Sequence, residues 1–182
     1  MIPLGYLAKR IPNERPDWLS APAVVDVYSA SDCVNDTLAF YNVPNCPHNG
    51  YGMFDSPVLI ASTAKLNHID LVGSRLFFYE AHESELDGDD WIPVLPDNSF
   101  DTKVVLPSAK ELVGFDVVTF IDGPNSHSPL SCNGVAAEVH TNRHCLFETL
   151  DDAMAALTNR AFEGAEEGPY RIYGVYSVAW PE

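Results

Sequence analysis

The chain has 182 residues, of which 26 are acidic and 10 basic, giving a formal net charge of −16 at pH 7. Apolar residues make up 46% of the sequence and aromatic residues 11%, which excludes an acidic disordered chain and allows one domain with a substantial core. A surface with this charge repels nucleic acid and anionic membrane and attracts cationic surfaces. We therefore expect a basic protein as partner, and neither nucleic acid nor a membrane.

The first 22 residues carry four prolines, at positions 3, 12, 16 and 22. This spacing predicts an extended segment packed on the body of a single domain spanning residues 1–182, with Trp18 as its anchor. The basic residues of the N-terminus follow its apolar ones, the reverse of a secretory signal, which favours a cytoplasmic protein. Residues 23–29 alternate enough to predict a strand. Ser31 or Asp32 then caps a predicted helix that ends at Phe40, and residues 42–52 are predicted to form a loop.

The middle of the chain begins with a strong helix start at Ser56-Pro57. The helix is predicted to run to Asn67 and to bury Leu59, Ile60, Thr63 and Leu66. A strand is predicted over residues 75–85, followed by an acidic loop over 85–101 and a short strand over 103–106. Residues 114–121 are rich in β-branched and aromatic side chains, which predicts a central strand.

The last third opens with a predicted turn at 122–125 and a helix over 129–139 that Ser128 caps. A short strand is predicted over 143–147. Thr149 and the two aspartates after it predict the clearest helix of the chain, and residues 170–180 predict a long final strand. Because strands and helices do not alternate, we predict an α+β domain: a mixed or antiparallel sheet of about five strands with about three helices packed on it. We detect no internal repeat, and we treat the equal spacings of Cys33 to Cys46 and Cys132 to Cys145 as coincidence.

The acidic stretch from Glu80 to Asp101 is the strongest candidate for a binding surface, because carboxylates there surround an aromatic anchor. The carboxylates would pair with the lysines or arginines of a partner. The alternative is a solvated loop whose charges only keep the protein in solution. The predicted partner-binding residues are Glu83, Glu85, Asp87, Asp89, Asp90 and Trp91.

Three other patterns point to chemistry, each beside a structural alternative. Cys132 near a predicted helix start could act as a nucleophile in a hydrolase, with His127, His140 or His144 as base, or could be part of a helix–sheet contact. Glu80 and His82 share a strand face and could form an acid–base pair or a solvated edge. Two cysteines and two histidines could bind zinc, although their spacing is unusual, or could be only a loop histidine and a buried thiol: Cys46, His48, His144 and Cys145. We assign no catalytic residue, metal or cofactor from these patterns, and an enzyme is the less favoured interpretation.

Three stretches look like segments of uncharacterised bacterial proteins: residues 48–57, 114–120 and 168–173. The small size, acidity and lack of a catalytic motif together resemble bacterial toxin-immunity proteins. That resemblance implies a cytoplasmic, non-enzymatic inhibitor that binds and blocks a basic toxin domain, a nuclease being one candidate. In that case the carboxylates would occupy the place of substrate phosphates.

Overall fold

Four long strands and one strand of two residues form the main sheet, in the order β2-β1-β3-β7-β6 with every neighbouring pair antiparallel. The computed structural model describes residues 1–12, 14–31, 34, 36–37, 46–120 and 126–181. A separate hairpin and three helices complete the α+β domain, as predicted. The strands are β1 (Ile2–Arg10), β2 (Asp36–Thr37), β3 (Arg75–Ala81), β4 (Ser84–Asp87), β5 (Asp90–Pro93), β6 (Glu111–Val118) and β7 (Arg171–Val178); the helices are α1 (Pro57–Leu66), α2 (Pro129–Cys132) and α3 (Leu150–Thr158).

The N-terminal segment differs from its prediction, because residues 2–10 are strand β1, paired with β3 inside the sheet. Trp18 is 52% exposed and does not anchor the segment. Residues 23–29 are irregular and lie along residues 143–144, whose carbonyls accept hydrogen bonds from the N–H groups of Val25 and Tyr28. The prediction of an extended segment was based on the prolines, whereas the apolar residues after Pro3 are buried in the sheet and make this segment a strand.

The predicted caps at Ser56 and Thr149 are confirmed. Ser128 precedes α2 but does not cap it, because its hydroxyl donates to Asp116 instead, and the predicted helix lengths are less accurate. Ser56 and Thr149 cap α1 and α3 through hydrogen bonds that their hydroxyls accept from backbone N–H groups. Leu66 is 79% exposed, and Ala64 is buried in its place. The predicted helix over 129–139 stops at Cys132, because Gly134 is left-handed (φ 73°), and only a 3-10 turn follows at 135–137.

Other predictions are corrected or lie outside the described residues. The stretches 103–106 and 143–147 are not strands, although Phe147 bridges to Phe115. The predicted strand over 75–85 ends at Ala81, and the acidic loop after it contains the β4–β5 hairpin. Of the predicted helix ending at Phe40, Asp36 and Thr37 instead form β2, and most of its other residues lie outside the described residues, as does the turn at 122–125.

An internal repeat, which we did not predict, organises the fold. In each half, the side chain of one asparagine, Asn49 or Asn142, hydrogen-bonds both to a tight turn and to the first strand of that half. We call this arrangement a bracket. The amide of Asn49 donates to the carbonyl of Leu4 at 2.8 Å, and the amide of Asn142 donates to that of Val113 at 2.9 Å. The carbonyl oxygen of each asparagine side chain accepts two backbone N–H groups, from the residues two and four positions later. Two identical brackets of this kind indicate two copies of one unit.

The strands that these brackets hold are also equivalent. A bulge precedes Gly5 in β1 and Gly114 in β6, and both glycines have positive φ, 132° and 156°. The next residue of each strand exchanges two backbone hydrogen bonds with the phenylalanine five positions after the asparagine. A Cβ on either glycine would lie within 2.7 Å of the carbonyl oxygen of that phenylalanine, so the close approach requires glycine at both sites.

The repeat extends through the helices to the inner strands. The residue after each helix cap is left-handed, His68 at φ 56° and Arg160 at φ 57°, and the following N–H returns to a carbonyl of the last turn. Each unit therefore runs strand, bracket, helix, strand. Because the inner strands β3 and β7 are antiparallel neighbours and β1 and β6 flank them, the two units are related by an approximate twofold axis through the sheet. Residues 82–110 join the units, and we call them the linker.

One face of the sheet carries two buried charged side chains with a single chain segment over them. The ammonium of Lys9 donates to the carbonyls of Ser29, Ala30 and Ser31 at 2.9–3.0 Å. The carboxylate of Asp116 accepts from the same segment, through the N–H of Ala30 and the hydroxyl of Ser29, and from the hydroxyl of Ser128. Residues 29–31 therefore lie between opposite charges, each with its polar partners inside the core.

Candidate functional site

The predicted acidic loop forms the β4–β5 hairpin, whose tip carries most of the predicted partner-binding residues. Asp87, Asp89 and Asp90 are exposed there, and Glu83 is exposed just before the hairpin. Gly88 adopts φ 60° in the turn, as a two-residue hairpin requires. Trp91 is 38% exposed, and its ring meets the edge of the His82 ring at a centroid distance of 5.8 Å. The hairpin thus presents carboxylates beside an aromatic side chain.

Glu85 is the exception, because the structure buries it. Its carboxylate pairs with the guanidinium of Arg171 on β7, and both side chains are shielded from solvent. Arg171 also lies over the ring of Phe120, at 4.5 Å from its centroid. Glu85 therefore fastens the hairpin to the main sheet and is not available to a partner. The sequence could not show this, because the two ion-pair members are 86 positions apart.

A groove of about 770 Å³ lies between the hairpin and the segment after α3. Its apolar wall consists of Leu86, Trp91, Leu157, Phe162 and Tyr170, and its charged lining of Asp89, Arg160, Glu163, Glu166 and Glu167. The hairpin and the segment after α3 are joined through their backbones, because Leu86 and Tyr170 exchange two hydrogen bonds at 2.8 and 2.9 Å. The groove is thus a built concavity with aromatic walls and four carboxylates against one guanidinium.

Glu166 is the least satisfied group of the groove. Its Oε1 lies 3.8 Å from Nδ1 of His127, and its Oε2 is buried with no hydrogen-bond partner among the described residues. The Tyr170 hydroxyl donates to the backbone carbonyl of Glu166. Burial, together with the nearby carboxylates of Glu166 and Glu167, raises the pKa of Tyr170. A buried carboxylate oxygen without a donor is costly in free energy.

The single guanidinium of the groove is held weakly. Arg160 donates to Asp89 at 2.9 Å and lies 3.9 Å from Glu163, but all three side chains are largely exposed. Exposed ion pairs contribute little to stability, so little free energy is needed to separate Arg160 from these carboxylates.

Sequence reasoning found the hairpin wall of the groove and missed the other wall. Glu163, Glu166 and Glu167 were not predicted, although they form a dense acidic run around Gly164 and before Gly168. The signal was present, but nothing in the sequence indicates that residues more than 70 positions apart face each other.

The candidate nucleophile Cys132 does not lie where the sequence argument required. It is the last residue of α2, at the end where the helix dipole disfavours a thiolate, so the reason for an activated thiol is wrong. Its Sγ lies 3.1 Å from Oγ of Ser31. Two of the candidate bases face carboxylates: His127 faces Glu166, and His144 contacts Asp26 through Nδ1. The third, His140, is exposed.

The four candidate zinc ligands are distributed over separate surroundings. Cys46 packs against one core cluster and Cys145 belongs to the other. The His48 ring lies tilted against Phe100 with centroids 4.5 Å apart, while the His144 ring stacks on Tyr28 at 4.1 Å. Within the ranges that the structure describes, no group of three or more His, Cys, Asp or Glu side chains could hold a metal ion.

In the described part of the chain, no helix has the length and apolar character needed to span a membrane. In comparisons with known proteins, no protein-family model, no curated protein and no solved structure matches the chain.

Proposed function

We propose that this protein is a non-enzymatic binding protein that docks a basic surface of a partner protein in the groove between the hairpin and residues 157–170. The observation that supports the proposal is the groove itself, in which carboxylates from two distant segments converge around Trp91 and one buried oxygen of Glu166 has no donor among the described residues. The resemblance to toxin-immunity proteins suggests the form of this function, a cytoplasmic inhibitor that covers the basic active site of a toxin domain.

The chemistry of the groove suits a lysine or arginine side chain. The apolar wall can cover the alkyl stem of such a side chain, while the carboxylates pair with its charged head. Trp91 adds the face of an indole ring, the aromatic surface on which cations bind best. If the partner is a nuclease, the carboxylates take the place of substrate phosphates and keep nucleic acid out of the active site. Long-range attraction then makes association fast and salt-sensitive.

The test measures binding of a fluorescently labelled arginine-rich peptide by anisotropy, with a glutamate-rich peptide of equal length for comparison. A groove variant combines Glu163→Gln, Glu166→Gln and Glu167→Gln. A matched control removes three exposed charges elsewhere on the chain: Asp17→Asn, Glu111→Gln and Glu138→Gln. We expect the groove variant to lose about tenfold or more in affinity and the control only a few-fold. Both variants lose the same net charge, but only the groove variant loses carboxylates that pair with arginines of the bound peptide.

Equal losses in the two variants would refute the proposal, since the peptide would then respond to net charge alone. Equal binding of the glutamate-rich peptide would refute it as well. Trp91 emission supplies a direct readout, because a peptide in the groove alters the solvent around that ring. Trp91→Phe must abolish the emission change that the arginine-rich peptide causes; a change that persists arises from a tryptophan outside the groove.

A further inference from the structure

We infer a second binding site, outside the groove: an aromatic cage on the sheet that takes an alkylammonium group and that Lys110 occupies in the free protein. The cage lies where the two repeats meet. Phe78 and Glu80 come from β3 of the first repeat, and Tyr176 comes from β7 of the second. Lys110 enters from the linker, immediately before β6. Junctions between structural units are common places for ligand sites.

The distances around the Lys110 ammonium are those of a cation-binding cage. Nζ lies 4.0 Å from the centroid of the Tyr176 ring, 5.3 Å from that of Phe78, and 2.5 Å from Oε1 of Glu80. The side chain of Glu80 is only 13% exposed, so its charge acts in a partly desolvated setting. Two aromatic faces and one carboxylate around a nitrogen are the combination that recognises ammonium ligands.

The sheet register builds the floor of the cage. Phe78 lies directly opposite Tyr176, with ring centroids 6.2 Å apart, and Glu80 lies opposite Gly174. Because glycine has no side chain, the Tyr176 ring and the methyl group of Met1 fill the space opposite Glu80; a Cβ there would lie 3.2 Å from the ring and 3.3 Å from the methyl group. Burial and a hydrogen bond to Glu80 raise the pKa of Tyr176 to about 12, so the phenol remains protonated and its ring neutral.

Lys110 is an occupant that a ligand can replace. It belongs to an exposed, irregular stretch at residues 108–110, and its long side chain reaches the cage from outside the sheet. An ammonium group on a ligand would meet the same two rings and the same carboxylate. Lys110 would then return to solvent, where its charge is well hydrated. The free protein thus shows, with its own lysine, which chemical group the cage selects.

The probe is choline, and its control is 3,3-dimethylbutan-1-ol, which has the same shape without the charge. Binding is followed by the ring-current shift of the probe's methyl protons in NMR titrations of the wild type, Lys110→Ala, and Lys110→Ala combined with Glu80→Gln. We expect Lys110→Ala to bind choline about tenfold more tightly than the wild type, because no internal cation competes. We expect the neutral analogue to bind at least about tenfold more weakly than choline, and Glu80→Gln to reduce the difference between the two.

Three results would overturn the inference. One is equal binding of choline and the neutral analogue to Lys110→Ala; another is no choline binding by Lys110→Ala with a native circular dichroism spectrum. The third is no shift in the wild type at choline concentrations well above those that saturate Lys110→Ala. Should Glu80→Gln fail to fold, Tyr176→Leu in the Lys110→Ala background keeps an apolar contact without the ring, and it must weaken the preference for choline. None of these outcomes depends on the arginine-rich peptide, so the cage and the groove are tested independently of each other.

Discussion

Replacing Asp116 by asparagine is expected to change how stability depends on pH. Asp116 is fully buried, and burial raises its pKa from an ordinary 3.8 to about 6, although Ser128, Ala30, Ser29 and Lys9 each favour its charged form. Its folded-state pKa therefore exceeds its unfolded-state pKa. The stability that this group contributes is fully present below the unfolded value and is lost as pH rises through the folded value.

The magnitude follows from linkage. At about pH 7 the group is charged in both states and contributes almost nothing, whereas at about pH 5 the folded state holds its proton and the unfolded state does not. One pH unit below the folded pKa, this amounts to about a factor of ten in the unfolding constant, or about 1.4 kcal/mol in favour of the wild type. The amide of an asparagine at this position cannot titrate, so the variant lacks this gain.

The assay is urea unfolding of the wild type and Asp116→Asn at several pH values between about 5 and 7, above the isoelectric point of about 4.5. The free energy of unfolding of the wild type, minus that of the variant, should fall by about 1.4 kcal/mol as pH rises across this range. Exposed Asp17→Asn controls for the loss of one charge. A difference that stays constant, or that rises with pH, would show that burial does not raise the pKa of Asp116 and would refute the reasoning.

The repeat makes two further predictions. Asn49→Ala and Asn142→Ala should each destabilise the fold by roughly 2–4 kcal/mol, because each strips one strand carbonyl and two N–H groups of their partner; a loss at only one site in urea unfolding would mean that the brackets are not equivalent. Gly5→Ala and Gly114→Ala should each cost roughly 3 kcal/mol or more, whereas Gly73→Ala, at φ 79° with open space around it, should cost about 1 kcal/mol. Similar melting temperatures for all three glycine variants would argue against the close approach at the bulges.

The elements with local signals could be predicted from the sequence, and those with long-range causes could not. Caps at Ser56 and Thr149 depend on neighbouring residues, so both helix starts were predictable. The strand β1 was missed because its proline lies beside a bulge, where the sheet tolerates it. The irregular course of residues 23–29 is set by contacts with residues 143–144, which no local pattern contains.

The repeat escaped detection because its signature is sparse. The shared pattern is an asparagine, three variable positions, an apolar residue, phenylalanine, an acid and a serine or threonine, at residues 49–56 and 142–149. The pattern matters because the asparagine side chain hydrogen-bonds to backbone groups, and these bonds are visible only in the structure. The groove was half predictable for a similar reason: the hairpin acids cluster in sequence, while the residues opposite them are brought near by the pairing of Leu86 with Tyr170.

The linker makes the duplicated architecture asymmetric. Brackets, bulges and helix caps belong to the two units, whereas the hairpin and Lys110 lie in the connector between them. The linker is bonded to both units, to the second through Glu85 and Leu86 and to the first through Thr102 and Val105, so the segment between the copies holds them together in addition to the sheet.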